Sequence, residues 1–438
     1  MRSVVTRFRI SSNRSATYRQ IGTADRITGV DFIPSPRKRR TMRSDPQLFR
    51  DERWLRQHAL RLLNFYYPDC IDHRFGGYVA QLSDRDGHVY DAKAKHLVAH
   101  SRLVFDFAVG ELLGGPDWCR SAASHGVTGL REWRDDDGGY AWIRSGREVA
   151  DPQRTCYGHA HVLLAYATAA KAGIPGTEAD VHETADLIAE RFWEDDHGLC
   201  RGKLTADWEP AEAYRGQNAN MHTCEAFIAA HEATGEDEYL DRAYTIAANL
   251  ARDLADEGDG LLWEHYTTDW EIDWEYNRDQ PAHLFRPWGY QPGHLLEWAK
   301  LLCILAECRD EDWLVERAAD FFEAAVENGW DDERGGLVYN FDRDGEPITA
   351  DKYFWPLCEG IGAAARLATV TGDDDYWEWY DRFWEYSWDN LVNPRYGNWY
   401  FKLTPDNEVH EDIDPTPKVV VGYHSVGACY DPLRVTAE

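Results

Sequence analysis

One structural unit recurs along this chain about every sixty residues, and it restricts the fold more than any other feature of the sequence. Each unit passes from a helical stretch through an acidic turn to a glycine, and then to a short aromatic segment typical of a β-strand. The spacings between these glycines are 62, 59, 62, 76 and 61 residues. Six copies at this period leave room for two helices and a hairpin in each copy. The glycines are Gly77, Gly139, Gly198, Gly260, Gly336 and Gly397.

Two kinds of helix alternate within the repeat. Those that precede a glycine open with acidic residues, as in "TGEDEYLDRA" from residue 234, which suits the positive end of the helix dipole. Those that follow a hairpin are apolar nearly all round, as in "HLLEWAKLLCILAE" from His294, so other helices must surround them. We therefore predict an all-α fold, an (α/α)6 barrel with six buried helices inside six outer ones and short β-hairpins between the helix pairs.

Two segments of the chain lie outside the regular repeat pattern. The long fourth interval indicates an insertion near 264–290, whose aromatic sequence predicts that it covers one mouth of the barrel. Residues 1–43 hold eleven basic and two acidic side chains and lack helical periodicity. We interpret 1–43 as a basic tail or as the result of a start codon placed too early, with Met42 as the true beginning. Residues 44–438 then form a single catalytic domain.

Composition excludes several classes of function. The net charge of −30 argues against a general nucleic-acid binder, and no apolar run approaches the length of a membrane span. The nine cysteines form no C-x-x-C pair, which favours reduced thiols in a cytoplasm. Only 9 lysines accompany 38 arginines in this acidic chain. This balance predicts a halophilic protein, although an ordinary acidic protein from a GC-rich genome has the same signature.

Polar and aromatic side chains stand at the starts of all six inner helices, where the helices are otherwise core-like. In such a barrel these six starts meet at one end of the central cavity. Buried polar groups are costly, so six together indicate a functional site, whereas one alone would mean little. The residues are Arg102, Tyr157, Asn220, His222, Glu225, His294, Glu297, Trp355, Glu359 and His424.

Two His-x-x-Glu pairs stand at equivalent places in neighbouring repeats. His222 and Glu225, like His294 and Glu297, are three residues apart and therefore share a helix face. This spacing suits a carboxylate that orients an imidazole, or a pair of metal ligands. Arg102 is either structural or a clamp for an anionic group.

Three further residues have both a structural and a functional interpretation. Tyr157 and Trp355 are core aromatics or a stacking platform for a sugar ring, and His424 is a core histidine or a catalytic one. Despite its net negative charge, the chain could still bind an anionic sugar through a local cation. Arg102 or Arg286 would supply that cation.

Several motifs together resemble the N-acylglucosamine 2-epimerase superfamily, which contains sugar isomerases and 2-epimerases. They are "NANMHTCEAFIAAHEATGEDEYLDRA", "PGHLLEWAKLL", "KYFWPLCEG" and the late "GYHS", and the similarity covers roughly residues 45–430. The ordered set is specific for the superfamily and much less so for one member. The (α/α)6 barrel that the resemblance implies agrees with the repeat count, which rests on independent evidence.

The resemblance also implies roles for individual residues. His294 and His424 match a general acid and base, Arg102 matches an arginine that stabilises an enediolate, and His222 matches a histidine that assists ring opening. The remaining matches are supporting carboxylates and groups that line the sugar site. These are Glu225, Glu297, Tyr157, Asn220, Trp355 and, more weakly, Glu359.

The implied activity is interconversion of an aldose and a ketose of the mannose and fructose type through a cis-enediol, without metal or other cofactor. An imidazole with an ordinary pKa of about 6.5 suits proton removal from carbon 2, and a guanidinium suits the resulting oxyanion. A 2-epimerase remains the main alternative, because a second base can return the proton to carbon 2. The expected partner is a monosaccharide or disaccharide, bound by a monomer or homodimer.

Three other classes remain open on the residues alone. A glycoside hydrolase on the same barrel would use paired carboxylates, which Glu225, Glu297 and Glu359 would supply. A metal-dependent isomerase would use the two His-x-x-Glu pairs as ligands. A sugar-binding protein without activity would need the aromatic platform but not His294 and His424.

Overall fold

The computed structural model describes residues 46–410 and 421–435. The predicted basic tail, 1–43, lies outside the described residues. Within those ranges no helix has both the length and the apolar character needed to cross a lipid bilayer.

Twelve main α-helices build the described part of the chain, as the repeat predicts. A 3-10 turn at Pro46–Arg50 precedes them, and π-helical stretches at Ala248–Leu254 and Ser387–Leu391 extend two of them. The helices are α1 Glu52–Tyr66, α2 Leu97–Leu112, α3 Asp117–Trp133, α4 Cys156–Lys171, α5 Thr177–Arg191, α6 Gln217–Thr234, α7 Asp237–Ala247, α8 Pro292–Cys308, α9 Asp312–Gly329, α10 Phe354–Thr371, α11 Asp374–Tyr386 and α12 Tyr423–Val435.

The helices form two concentric rings. Helices α2, α4, α6, α8, α10 and α12 pack side by side in that order, and α12 returns to contact α2. Helices α3, α5, α7, α9 and α11 each pack on the inner helix that precedes them, while α1 packs on α12. The sixth pair is therefore made from the first and the last helix, so the two ends of the barrel chain close the ring. This arrangement is the predicted (α/α)6 barrel.

Burial explains why the sequence separates the helices in this way. Every residue of α8 from Pro292 to Leu305 is buried, which requires neighbours on all sides. Helix α11 instead buries one face, formed by Tyr380, Phe383, Trp384 and Tyr386, and begins at an Asp373 cap followed by two more acids. The acidic openings noted in the sequence thus mark outer helices, where charge remains in contact with water.

Short antiparallel strand pairs lie at the end of the barrel where the inner helices begin. Four inner helices follow directly on a strand, and that strand pairs with one from the next repeat, as β8 pairs with β9. The strands are β1 Ala94–His96, β2 Ile143–Ser145, β3 Glu148–Asp151, β4 Arg154–Thr155, β5 Trp193–Glu194, β6 Leu199–Cys200, β7 Lys203–Leu204, β8 Arg215–Gly216, β9 His265–Tyr266, β10 Asn340–Phe341, β11 Pro347–Thr349, β12 Lys352–Tyr353 and β13 Lys402–Leu403.

Candidate active site

A cavity of about 670 Å³, open mouth included, lies where the inner helices begin. Each helix start contributes polar or aromatic side chains to its wall, as the fold predicts. Seven of the ten residues predicted for the site line this cavity. They are Arg102, Tyr157, His222, His294, Glu297, Trp355 and His424.

His294 is held by a carboxylate that the sequence interpretation did not identify. Its Nδ1 lies 2.8 Å from Oε1 of Glu264, and an ionised carboxylate only accepts, so Nδ1–H donates. The Gln217 amide nitrogen donates to the other oxygen of Glu264 at 3.0 Å and lies 2.9 Å from the same Nδ1 of His294. The indole N–H of Trp298 donates to Gln217 Oε1 at 2.8 Å and fixes the amide orientation. In the tautomer that donates from Nδ1 to Glu264, Nε2 of His294 is the basic nitrogen of the ring.

His424 has a carboxylate partner of its own, from a neighbouring inner helix. Its Nδ1–H donates to Oε1 of Glu359 at 2.6 Å. The Lys300 ammonium donates to Oε2 of Glu359 at 2.5 Å and lies 3.8 Å from Asp431. All of these groups are buried. Nε2 of His424 is therefore also available to a substrate, while Lys300 lies beneath the cavity wall.

Arg102 lies among aromatic and imidazole rings in the same cavity. Its Nη2 donates to the Tyr157 hydroxyl at 3.0 Å and lies 3.3 Å from Nε2 of His161. The guanidinium carbon lies 4.5 Å from the centre of the Tyr423 ring, within cation–π range. These contacts fix the guanidinium in the wall of the cavity, where it can stabilise negative charge on a substrate oxygen.

His222 stands between two glutamates of different character. Its Nδ1 lies 3.2 Å from Oε2 of Glu225, which also accepts from the Tyr423 hydroxyl at 2.5 Å. The same Nδ1 lies 3.8 Å from Oε1 of Glu297, which is buried without a hydrogen-bond partner among the described residues. Burial, together with the nearby charge of Glu359, raises the pKa of Glu297 well above its usual range. This shift favours the protonated form of Glu297, which can donate a hydrogen bond.

Burial governs the titration of the imidazoles. It lowers the pKa of His424 to about 4, although the Glu359 bond works in the opposite direction. It also lowers the pKa of His222, again against the pull of Glu225, and that of His161 well below its ordinary value. At neutral pH these imidazoles are uncharged, which is the form that accepts a proton.

Trp355 connects the two histidine–carboxylate pairs. Its ring centre lies 5.1 Å from that of His294 and 5.8 Å from that of His424. Gly293 makes this position possible, because a Cβ there would overlap the Trp355 indole. Trp355 is a fixed apolar wall beside both candidate acid–base groups, which favours the stacking role over a place in the core.

The predicted insertion does cover the mouth. Leu284 and Phe285 line the cavity from this segment, and the Tyr339 hydroxyl donates to the Leu284 carbonyl at 2.6 Å. Nη2 of Arg286 donates to both carboxylate oxygens of Glu212, at 2.9 Å each, and the guanidinium stacks on Tyr214. These contacts occupy the Arg286 guanidinium and anchor the insertion 264–290 to the rest of the barrel. They correct the interpretation of Arg286 as a cation for an anionic sugar.

Three predicted site residues lie outside the cavity lining. Asn220 bonds to the backbone of Cys200 and Gly216 and ties a hairpin to the start of α6, so the expectation that it lines the sugar site was wrong. Glu225 and Glu359 lie behind the cavity wall. They orient His222 and His424 respectively, which corrects the interpretation of Glu359 as a substrate contact and leaves Glu225 as a supporting carboxylate.

Several residues of the site escaped the sequence interpretation, among them Glu264, Gln217 and His161. Glu264 stands four residues after its hairpin glycine, and Phe401, at the same offset in the sixth repeat, lines the cavity. That offset was the available signal for Glu264. His161 follows Tyr157 by one helical turn, so its place beside Arg102 was also implicit in the helix period.

Among the described residues, two groups of three ligand atoms lie within 4.8 Å of one another, His222 with Glu225 and Glu297, and Glu297 with Glu359 and His424. In the second group Lys300 already supplies a positive charge to Glu359. In the first, Tyr423 and the imidazole occupy Glu225. The chemistry of these donors is thus that of a buried hydrogen-bonded cluster, and the arrangement fits acid–base chemistry without calling on a metal.

Comparison with known proteins finds sugar isomerases that are similar over most of the chain. The chain is 40% identical to a D-mannose isomerase of Marinomonas mediterranea, over 88% of this chain and 98% of the relative. It is 37% identical to a D-mannose isomerase of Thermobifida fusca, over 80% and 87%. A crystal structure of a D-mannose isomerase superposes with a TM-score of 0.85 at 40% identity, covering 88% of this chain and 98% of that one.

The model of one protein family, N-acylglucosamine 2-epimerase (GlcNAc 2-epimerase), matches residues 76–428. That range holds all twelve helices except α1 and the end of α12, and it includes every residue of the cavity wall described above. The chain therefore belongs to the N-acylglucosamine 2-epimerase family and is an isomerase or epimerase.

Proposed function

We propose that this enzyme interconverts D-mannose and D-fructose, with His294 and His424 as its general acid and base. The observation that carries the proposal is the pair of carboxylate-held imidazoles on either side of Trp355 in one cavity. The identity with D-mannose isomerases over most of the chain supports the choice of sugar.

In this proposal one imidazole removes the proton from carbon 2 of the open-chain aldose. The electrons form the carbon 1–carbon 2 double bond of a cis-enediol, and return of a proton to carbon 1 gives the ketose. The other imidazole moves the hydroxyl proton between the two oxygens. General acid–base steps of this kind are worth about 10²–10⁴-fold in rate.

Arg102 stabilises the negative charge that develops on oxygen during proton removal. Its guanidinium is held by Tyr157 and Tyr423 within the cavity wall, so it needs no rearrangement as the charge forms. His222 assists ring opening, and Glu297, as a neutral acid beside it, donates a hydrogen bond to a sugar oxygen. Tyr157 and Trp355 enclose the sugar ring.

A 2-epimerase is the second candidate, because two imidazoles in one cavity can act on opposite faces of one carbon. If the second imidazole returns the proton to carbon 2 from the opposite face, mannose becomes glucose. The experiment that separates the outcomes is incubation with D-mannose in deuterated buffer containing molar KCl and EDTA, followed by NMR. We expect fructose with deuterium at carbon 1.

Each other outcome of that incubation points elsewhere. Glucose labelled at carbon 2 would identify a 2-epimerase. Activity that EDTA abolishes and a divalent metal restores would favour the metal-dependent alternative. If no sugar changes while the protein is folded, the proposed substrate is wrong. His424→Asn serves as the matched inactive control.

We propose further that residues 44–438 act as one catalytic domain, monomeric or dimeric, in a salt-rich cytoplasm. The net charge of −30 and the scarcity of lysine support the environment, because salt screens the repulsion among surface carboxylates. The melting temperature should rise between 0.1 M and 2 M KCl. An unchanged or lower value would remove this support, and light scattering in the same buffers gives the oligomeric state.

A further inference from the structure

Beneath the active site, the axis of the barrel holds a second cavity lined by charged side chains. It reaches from Lys300, Glu359 and Asp431 just below the catalytic cavity to Lys171, Glu232 and Arg434 at the other end. Most of these charges are paired with one another, yet only the upper group touches a catalytic imidazole. Lys300 can therefore influence a catalytic imidazole through Glu359, whereas Lys171 pairs with Glu232 and contacts no histidine among the described residues.

Lys300 stands on α8 and contacts the two inner helices that follow it. Its ammonium donates to Glu359 of α10 at 2.5 Å and lies 3.8 Å from Asp431 of α12. Gly362 leaves room for its stem, since a Cβ there would lie 3.1 Å from Cδ of Lys300. Lys300 is absent from the lining of the catalytic cavity, so it acts on a substrate only through another group.

Lys300 and His424 are linked through a single carboxylate, that of Glu359. Glu359 accepts from Lys300 with one oxygen and from His424 with the other, so both donors share one negative charge. Burial works to raise the pKa of Glu359, but the Lys300 ammonium and then the His424 bond outweigh it and lower that pKa to about 2. Burial likewise opposes the charge of Lys300, whose pKa is nonetheless raised by Glu359.

We propose that Lys300 is a positioning residue that neutralises Glu359 and thereby keeps His424 an uncharged, proton-accepting imidazole. The inference rests on the proposed function only in treating His424 as a catalytic base. With the ammonium present, Glu359 fixes the orientation of His424 without holding a proton on it. Without the ammonium, the uncompensated carboxylate binds a proton at higher pH, shared with the imidazole as one coupled pair.

Other charged and titratable groups face this pair from the inner helices around it. Those that face His424 are Arg102, His161 and His222, besides Glu359. Those that face Lys300 are Glu225, Glu297, Glu359 and Asp431, with Arg366 behind Asp431 at 3.4 Å. Carboxylates outnumber cations around Lys300, so removing its charge can only make proton uptake easier.

The test compares Lys300→Gln with Lys300→Arg and Lys171→Gln. Lys171 is a matched control, because it pairs with Glu232 in the same lower cavity without touching a histidine. We expect the acidic limb of the kcat/KM profile of Lys300→Gln to move up by at least about one pH unit. Lys300→Arg should restore the original limb, and Lys171→Gln should not move it.

A second variant guards against loss of folding. Lys300→Gln combined with Asp431→Asn keeps the net charge of the cluster unchanged, and the same upward shift is expected. NMR titration of histidine-selective ¹⁵N protein, with the His424 signal assigned by its loss in His424→Asn, reads the proton directly. An unchanged His424 titration in both variants would overturn the proposal.

Failure of this inference differs from failure of the proposed function. If His424→Asn is inactive while Lys300→Gln keeps the original profile, Lys300 has no positioning role and the histidine mechanism stands. If His424→Asn keeps full activity, the histidine mechanism fails, and the NMR titration still decides whether Lys300 controls the proton on His424.

Discussion

The two histidine–carboxylate pairs of the cavity have the same inner geometry and different surroundings. His294 donates to Glu264, a residue of a hairpin, and the second oxygen of Glu264 accepts from the neutral amide of Gln217. His424 donates to Glu359, a residue of an inner helix, and the second oxygen of Glu359 accepts from the Lys300 cation. An amide leaves the charge of its carboxylate in place, whereas an ammonium cancels it. Two imidazoles held in the same way therefore lie beside carboxylates of different net surroundings, one neutral amide and one cation.

The largest expected effect comes from removing either imidazole. We expect His294→Asn and His424→Asn each to lower kcat for the sugar by about 10²–10⁴-fold, because each removes a general acid–base group. NMR assay of mannose conversion measures this loss. His231→Asn is the control, since His231 lies near the far end of α6 and bonds to the Glu236 carbonyl, so it should keep normal activity. Activity above a tenth of the original in either active-site variant would contradict the two-histidine mechanism.

Replacing Glu359 should lower the free energy of unfolding more than replacing Glu264. Glu359→Gln leaves the buried Lys300 ammonium beside a neutral amide, and breaking a buried pair in this way costs about 3 kcal/mol. Glu264→Gln only exchanges one hydrogen-bond acceptor for another beside Gln217, for which we expect about 1 kcal/mol. Urea unfolding at pH 7 measures both. Equal losses would show that the lysine does not distinguish the two pairs.

Protonation of His424 should contribute to the pH dependence of the free energy of unfolding. Burial lowers its pKa to about 4, whereas the unfolded chain has about 6.5, so the unfolded state binds the proton first. Its contribution is complete above pH 6.5 and is lost as the pH falls towards 4, by up to about 1.4 kcal/mol per pH unit. We expect unfolding of His424→Asn to show a flatter pH slope between 6 and 5. His231→Asn should keep the original slope, and an unchanged slope in His424→Asn would contradict the low pKa.

The smallest effect concerns the wall shared by the two pairs. Gly293→Ala places a methyl group against the Trp355 indole and should displace it from both imidazoles. We expect about a tenfold loss of kcat/KM, since modest displacement of a positioning group is costly. Gly427→Ala is the matched control on α12, where the new Cβ meets only ordinary van der Waals contact. If both variants keep full activity, Trp355 has no part in placing the sugar.

Much of the fold follows from local patterns in the chain. A period near sixty residues, acidic openings on one set of helices and apolar surfaces on the other predict the double ring. The helix period also places Arg102, Tyr157, His222, His294 and His424 near the start of each inner helix, where the structure has them. These features were readable because each depends on residues within one or two turns of one another.

Contacts between repeats were not readable in the same way. The spacing of His294 and Glu297 suggested that Glu297 supports the imidazole, but the hydrogen bond goes to Glu264, thirty residues earlier in the chain. Asn220 has the composition of a ligand-binding residue and instead ties a hairpin to α6. In both cases the deciding partner lies twenty or thirty residues away, and only the packing of the hairpins brings it close.

The sequence by itself therefore determined the architecture, the end of the barrel that carries the cavity and the presence of His294 and His424 in its wall. The tertiary structure alone decided which carboxylate holds each histidine and that Lys300 lies behind one of them. The physical reason is the range of the interactions. Helix periodicity and capping act over a few residues, whereas buried hydrogen bonds and ion pairs depend on which helices become neighbours when the ring closes.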